Sequence, residues 1–182
     1  MLASNEVTEE QLRTLPLTDL GIDYIIRASR SPPAKSVKHS RKNNLVGHTP
    51  LIENQVSLQH QSATGENLFL TYLQLRRDIW GVYDQPTTVG FDITDVNSHH
   101  RKTTYTPDFL VVDTGGATAY EIKEDQELKR LCKTRPKDWT HDESGYRYLA
   151  AERYFAKLGI KHRTIANSEL SSVRASNIRA IC

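Results

Sequence analysis

The chain is poor in cysteine: of its 182 residues, only Cys132 and Cys182 carry a thiol. Two are too few for a disulfide framework or a cysteine-based zinc site, and they suit a reducing compartment. Long apolar runs are missing too, so no segment is expected to cross a bilayer. The opening MLASNEVTEEQ lacks the charged-then-apolar order of a secretory signal. A soluble, cytoplasmic protein is the expectation. No internal repeat or low-complexity tract is found. Net charge is scarce as well. Twenty-four Lys plus Arg against twenty-two Asp plus Glu leave a formal +2, so attraction to nucleic acid has to come from local clusters. The length allows one good core, or one domain with an appended arm.

One such cluster runs from Arg27 to Lys42, which contains Arg27, Arg30, Lys35, Lys38, Arg41 and Lys42 and no acidic residue. Pro32-Pro33 excludes regular helix, so an extended basic arm is expected. It reads either as a solvated linker or as a phosphate-contacting segment led by Arg30, Lys35, Lys38, Arg41 and Lys42. In the second case binding would be salt dependent, because each phosphate contact releases counterions. No aromatic residue interleaves these charges, which argues against base stacking on single strands.

The most informative stretch is Tyr105 to Lys123, YTPDFLVVDTGGATAYEIK. Two apolar runs flank Asp113-Thr114-Gly115-Gly116-Ala117, a connection of the kind that joins hairpin strands. A turn centred on Gly115 and Gly116 puts Asp108 opposite Lys123, and a small register change puts it opposite Glu121. Residues directly across a ladder share a face. Alternation sends Glu121 and Lys123 to one side and Ile122 to the other, into a core. Two carboxylates so placed repel unless a proton or a cation lies between them, and Mg²⁺ takes oxygen ligands of this kind. A neighbouring lysine can orient a water or stabilise charge on a phosphoryl group. A solvated hairpin end is the plain alternative.

Elsewhere, Thr8 to Ala28 reads as helix in two pieces broken at Pro16, capped by Thr18 or Asp19, with Leu20, Tyr24 and Ile25 facing inward. A loop is expected from Gly47 to Gly65. ENLFLTYLQLRRDIW follows as a helix with Leu68, Tyr72, Leu75 and Ile79 on one face, broadened by Phe69 and Leu73, and Glu66 in its first turn. Thr87 to Ile93 reads as a strand, and Asp95 to Lys102 as a polar segment in which His99 and His100 are loop residues rather than metal ligands. Asp125 to Leu131 and Tyr148 to Leu158 read as helices, the second closed by Gly159. His162 to Ala166 reads as a strand and Ser168 to Ile181 as a last helix. This order suits a mixed sheet flanked by helices, an α/β fold.

Pro-Asp, an apolar strand, a glycine turn and Glu-x-Lys resemble the PD…(D/E)xK nuclease superfamily. With Glu66 opening its helix, YLQLRRDIWGVYDQP, YTPDFLVV, YEIK and ERYFAKLGIKHRTIANSEL, the chain is similar to the N-terminal catalytic domain of TnsA, the endonuclease subunit of heteromeric transposases. The basic segment from Arg30 to Lys35 shares in the likeness. The resemblance implies a restriction-endonuclease-like mixed sheet over residues 48–182, preceded by a helical segment and basic arm over 1–47. It implies Glu66, Asp108 and Glu121 as metal-binding acids and Lys123 as the catalytic lysine, with the Ile122 carbonyl as a further ligand and Gln85 as a supporting residue. It also implies Mg²⁺ as cofactor, with Mn²⁺ as a substitute. The implied reaction is cleavage of the 5′ strand at transposon ends in double-stranded DNA, with a separate DDE-type transposase acting on the 3′ strand. Relatives can carry a C-terminal helical domain that contacts partners. A chain ending at Cys182 has no room for one, so a short member or a fragment is expected. A restriction or junction-resolving nuclease, and a non-catalytic DNA-binding module, are the alternatives.

Overall fold

Two threonines decide where the chain first becomes helical. Thr8 caps α1 (Glu9–Arg13): its hydroxyl accepts the Gln11 N–H at 3.2 Å and the Gln11 side chain accepts the Thr8 N–H at 2.9 Å. This reciprocal box satisfies donors that a helix start leaves unpaired. Thr18 caps α2 (Asp19–Arg30) through the Gly21 N–H at 3.2 Å. The computed structural model describes residues 7–34, 47–51, 56–60, 65–94 and 100–170.

The two-piece helix agrees with the sequence, and so does its inward face at Tyr24 and Ile25, but not at Leu20. Leu20 is 66 % exposed, while Ile22, Tyr24, Ile25 and Ala28 are buried. Gly21 lies against the backbone of Leu158 with no room for a Cβ, and that close approach fixes the rotation of α2 and turns Leu20 to solvent. Arg27 and Arg30 also belong to the last turn of α2 rather than to an extended arm, where they complement the helix dipole. Lys35, Lys38, Arg41 and Lys42 lie outside the described residues.

Where a loop was expected, β1 (Gly47–Leu51) and β2 (Val56–His60) pair antiparallel; the alternation in VSLQH is too short to stand out from a polar connection. Then comes α3 (Gly65–Leu73), shorter than its apolar pattern suggests. Ile79 opens β3 (Ile79–Asp84) and Leu75 is 49 % exposed. The break has an electrostatic cause: the Arg76 guanidinium bonds Asp78 at 2.6 Å and Asp113 at 2.7 Å, which draws the chain onto the sheet.

β4 (Val89–Thr94) and β5 (His100–Tyr105) form an antiparallel ribbon, so His100 opens a strand instead of sitting in a loop; His99 lies outside the described residues. The central sheet contains β6 (Phe109–Asp113), β7 (Gly116–Lys123) and β10 (Lys161–Ala166), in the order β10-β7-β6-β3. β10 runs parallel to β7 and the other pairs are antiparallel, which makes the sheet mixed. Between β7 and β10 the chain forms α4 (Asp125–Thr134), a ribbon of β8 (Trp139–Asp142) and β9 (Gly145–Tyr148), and α5 (Leu149–Ala156). Gly159, at φ 72°, takes the left-handed conformation that ends this last helix. Of the expected C-terminal helix, Asn167–Glu169 forms a 3-10 turn, and 171–182 lie outside the described residues.

Alternation along β6 and β7 sends side chains into two cores. Phe109, Val111 and Ile122 meet Phe69, Leu70 and Leu73 of α3 on one face. On the other, Leu110, Val112, Ala117 and Ala119 meet Ile22 and Ile25 of α2 and Phe155 of α5. Each large apolar side chain so buried contributes roughly 1.5–3 kcal/mol. The strand carrying Glu121 and Lys123 is therefore clamped on both faces.

Candidate active site

The register of the hairpin settles which residues meet. Asp113 pairs with Gly116 and Phe109 with Tyr120, so the next step in the ladder sets Asp108 against Glu121, not Lys123. The turn is one residue earlier than its two glycines suggest, because Gly116, at φ 138°, is already the first residue of β7. The Asp108 N–H donates to the Tyr120 carbonyl at 2.9 Å, and Asp108 Oδ2 accepts the Ile122 N–H at 2.8 Å. The carboxyl is thereby folded over the start of the Glu-x-Lys triplet.

Gln85 braces the same point from below. Its N–H donates to the Asp108 carbonyl at 2.8 Å, and its own carbonyl accepts the Ala34 N–H at 2.8 Å. Gln85 has φ 44°, unusual for a residue with a side chain, and it is buried. Both of these contacts are made by its backbone. It ties Asp108 to Ala34, at the threshold of the basic segment.

Charge at this end is unbalanced. Lys123 Nζ lies 2.7 Å from Glu121 Oε1 and 3.8 Å from Glu127 Oε1. Burial works against the ammonium, but the charge of Glu121 and the hydrogen bond to it prevail and raise the Lys123 pKa, so Lys123 is a cation at neutral pH. Asp108 has no such partner. Burial first, and then the charge of Glu121, push its pKa well above the usual carboxylate range, against the opposing pull of the Ile122 N–H and Lys123. Glu66 adds to that rise, so the acid of α3 acts electrostatically on Asp108. α3 reaches the site through Gly65, whose missing Cβ would stand 2.8 Å from Ile122 Cγ2.

The remaining oxygen of Glu121 is also engaged. The Tyr105 hydroxyl donates to Oε2 at 2.8 Å, and the same hydroxyl lies 2.8 Å from His162 Nε2. Burial lowers the His162 pKa to about 4, so the imidazole is neutral. Sequence reasoning gave Tyr105 and His162 no role. Tyr105 stands in the quoted YTPDF run, but its partner His162 lies 57 residues on, beyond any spacing rule.

Among the described residues no group of three or more Asp, Glu, His or Cys side chains is gathered to hold a metal ion. Asp108 and Glu121 nonetheless suit a hard cation. Mg²⁺ is commonly held by one or two carboxylates and keeps several waters, and the ionisation of Asp108 is opposed by its burial and by the charge of Glu121. Of the residues expected to contact DNA, Arg30 is exposed on α2 and the other four lie outside the described residues.

A family model described as TnsA-like endonuclease N terminal matches residues 76–167, just over half of the 182. Gln85, Asp108, Glu121, Lys123, Tyr105 and His162 fall inside the match, whereas Glu66 and Arg30 precede it. No curated protein matches the chain. Among the described residues no helix is long and apolar enough to cross a membrane.

Proposed function

Because the chain belongs to the TnsA-like endonuclease N-terminal family, we propose that it hydrolyses a phosphodiester of double-stranded DNA at the ends of a mobile element, using Mg²⁺ or Mn²⁺. The strand cut is the 5′ strand, and a DDE-type transposase acts beside it. The observation that carries this reading is the register that sets Asp108 against Glu121 at the clamped end of the hairpin, with the Lys123 ammonium 2.7 Å from Glu121.

In this reading Asp108 and Glu121 hold the cation, with Glu66 as a third acid at the start of α3 and the Ile122 carbonyl as a further oxygen. A divalent ion so held polarises a scissile phosphate and lowers the pKa of bound water. Lys123 supplies fixed positive charge. Because its ammonium is stabilised by Glu121, it suits stabilising the charge that develops on phosphorus better than taking a proton from water. Gln85 keeps the Asp108 backbone in place. The exposed Arg30, with Lys35, Lys38, Arg41 and Lys42, supplies phosphate contacts whose affinity falls with salt.

The test is an excision reaction reconstituted with the partner transposase on transposon-end DNA. Asp108→Ala and Lys123→Ala are expected to lower 5′-strand cleavage by about 10²–10³ or more while DNA binding, followed by mobility shift, survives. Replacing Mg²⁺ with Ca²⁺ is expected to abolish cutting. Undiminished 5′ cleavage by Asp108→Ala would sink the proposal, and efficient cutting of unspecific naked DNA without the partner would favour a restriction-type nuclease.

A further inference from the structure

Both oxygens of the Glu121 carboxyl are already spoken for, and the second of them leads away from the metal-binding face. Oε1 meets Lys123 and Oε2 accepts the Tyr105 hydroxyl. A tyrosine hydroxyl has one proton. With that proton aimed at Glu121, the 2.8 Å contact to His162 Nε2 has to be donated by the imidazole. His162 is then the Nε2–H tautomer, with Nδ1 a bare lone pair. This agrees with Nδ1 being buried and without a hydrogen-bond partner, since an unsatisfied lone pair in the interior is less costly than an unsatisfied N–H.

The rings that hold this relay are tightly packed. Tyr105 touches Tyr148 edge-on, with centroids 5.5 Å apart, and His162 stacks on Phe155 at 5.9 Å. The parallel pairing of β10 with β7 sets His162 beside Ala119, on the sheet face that also carries Glu121. The relay thus runs across three strands, from β10 through the end of β5 to β7.

We propose that Tyr105 is a positioning residue for Glu121: it pins one carboxylate oxygen so that the side chain presents its remaining lone pairs to a divalent cation, and His162 fixes Tyr105 in turn. This rests on the metal-dependent reading above. Groups that orient a ligand are commonly worth about 10–100-fold in metal affinity, because a pinned carboxylate gives up little rotamer freedom on binding.

Mn²⁺ titration of the purified chain, without DNA or partner and followed by electron paramagnetic resonance, tests this apart from cleavage. Tyr105→Phe, which keeps the ring, is expected to weaken Mn²⁺ by about 10–100-fold, and Glu121→Gln by at least as much. His162→Leu is expected to weaken it less, and His162→Gln, whose carboxamide can still donate, to restore affinity. The pair Tyr105→Phe with His162→Leu should bind no worse than Tyr105→Phe alone, since His162 acts only through the hydroxyl. Wild-type affinity in Tyr105→Phe alongside a loss in Glu121→Gln overturns this proposal alone; wild-type affinity in both also removes the metal-dependent reading. Should Tyr105→Phe not fold, ¹⁵N shifts of His162 in the wild-type protein decide the matter. The Nε2–H tautomer is expected, and a proton on Nδ1 overturns the relay.

Discussion

Each end of the β6–β7 hairpin sets one cation among carboxylates, and the two come out opposite. At the turn, Arg76 reaches Asp78 through two bonds of 2.6 and 3.0 Å and Asp113 through a third of 2.7 Å. Its hydrogen bond holds the Asp78 carboxyl below its usual range. At the open end Lys123 reaches Glu121 at 2.7 Å and Glu127 at 3.8 Å but pairs with no oxygen of Asp108, whose pKa burial and the charge of Glu121 raise well above normal. A planar guanidinium can serve two acids at once, whereas an ammonium acts as a point charge. What marks a candidate site is therefore not the presence of acids and a base but a carboxyl the protein fails to neutralise. The turn end is a finished ion cluster, and at the open end one carboxyl is left without a cation of its own.

The largest effect that would break this contrast belongs to Asp108. A raised folded-state pKa means the native protein binds more protons than the unfolded chain above pH 3.8. Stability is then fully present below that value and falls as pH rises toward the folded pKa. Asp108→Asn removes the repulsion and is expected to raise the melting midpoint of the metal-free protein above neutrality by about 5 °C, on a scale of roughly 2–4 °C per kcal/mol. The gap should close as pH is lowered toward 4. Millimolar Mg²⁺ should narrow it from the other side, by stabilising the wild type and not the variant. A calorimetric series over pH, with and without Mg²⁺, checks all three. An asparagine variant less stable than the wild type at every pH would show the two ends to be alike.

A smaller effect sharpens the part played by Glu66. Gly65 stands where a Cβ would meet Ile122 and the Asn167 side chain, so Gly65→Ala is expected to push the start of α3 off β7. The expected cost is about 1–2 kcal/mol. If Glu66 helps to hold the cation, Mn²⁺ affinity falls with it, even though no acid has been removed. Unchanged affinity in a folded Gly65→Ala protein would confine the site to Asp108 and Glu121.

How much of this was legible in sequence follows from the range of the forces involved. The hairpin, the helix start at Glu66, the cap at Thr18 and the stop at Gly159 are set within a few residues, and local pattern reveals them. The register was not fully legible: paired glycines suggested a turn one step later, and only strand pairing made Gly116 a strand residue. The end of α3 was misread because Arg76 finds Asp113 across 37 residues. For the same reason Tyr105 and His162 stayed silent. Their bond is a product of the parallel β7–β10 pairing, which no short motif encodes. Leu20 shows the limit for cores: periodicity places Tyr24 and Ile25 inward as found, but the close backbone approach at Gly21 leaves Leu20 in solvent.

The smallest expected effect lies at the turn, and it tests the comparison from its quieter side. Arg76→Gln leaves Asp78 and Asp113 without their shared cation, but Asp78 is 44 % and Arg76 34 % exposed, so water and salt replace much of what is lost. A destabilisation of about 1 kcal/mol or less is expected at low ionic strength, shrinking as salt is added. Its pH dependence should run opposite to that at Asp108. Because the Asp78 pKa is lowered in the folded state, the stability it lends is present above its unfolded value of 3.8 and is lost as pH falls through the acid range. Chemical denaturation at two salt concentrations and several pH values would measure this. Divalent cations should leave the difference between Arg76→Gln and wild type unchanged, because neither carboxylate at the turn is needed to hold one. An Mg²⁺-dependent gap would mean that the turn end binds cations as well, and the distinction between a finished cluster and an unfinished one would fail.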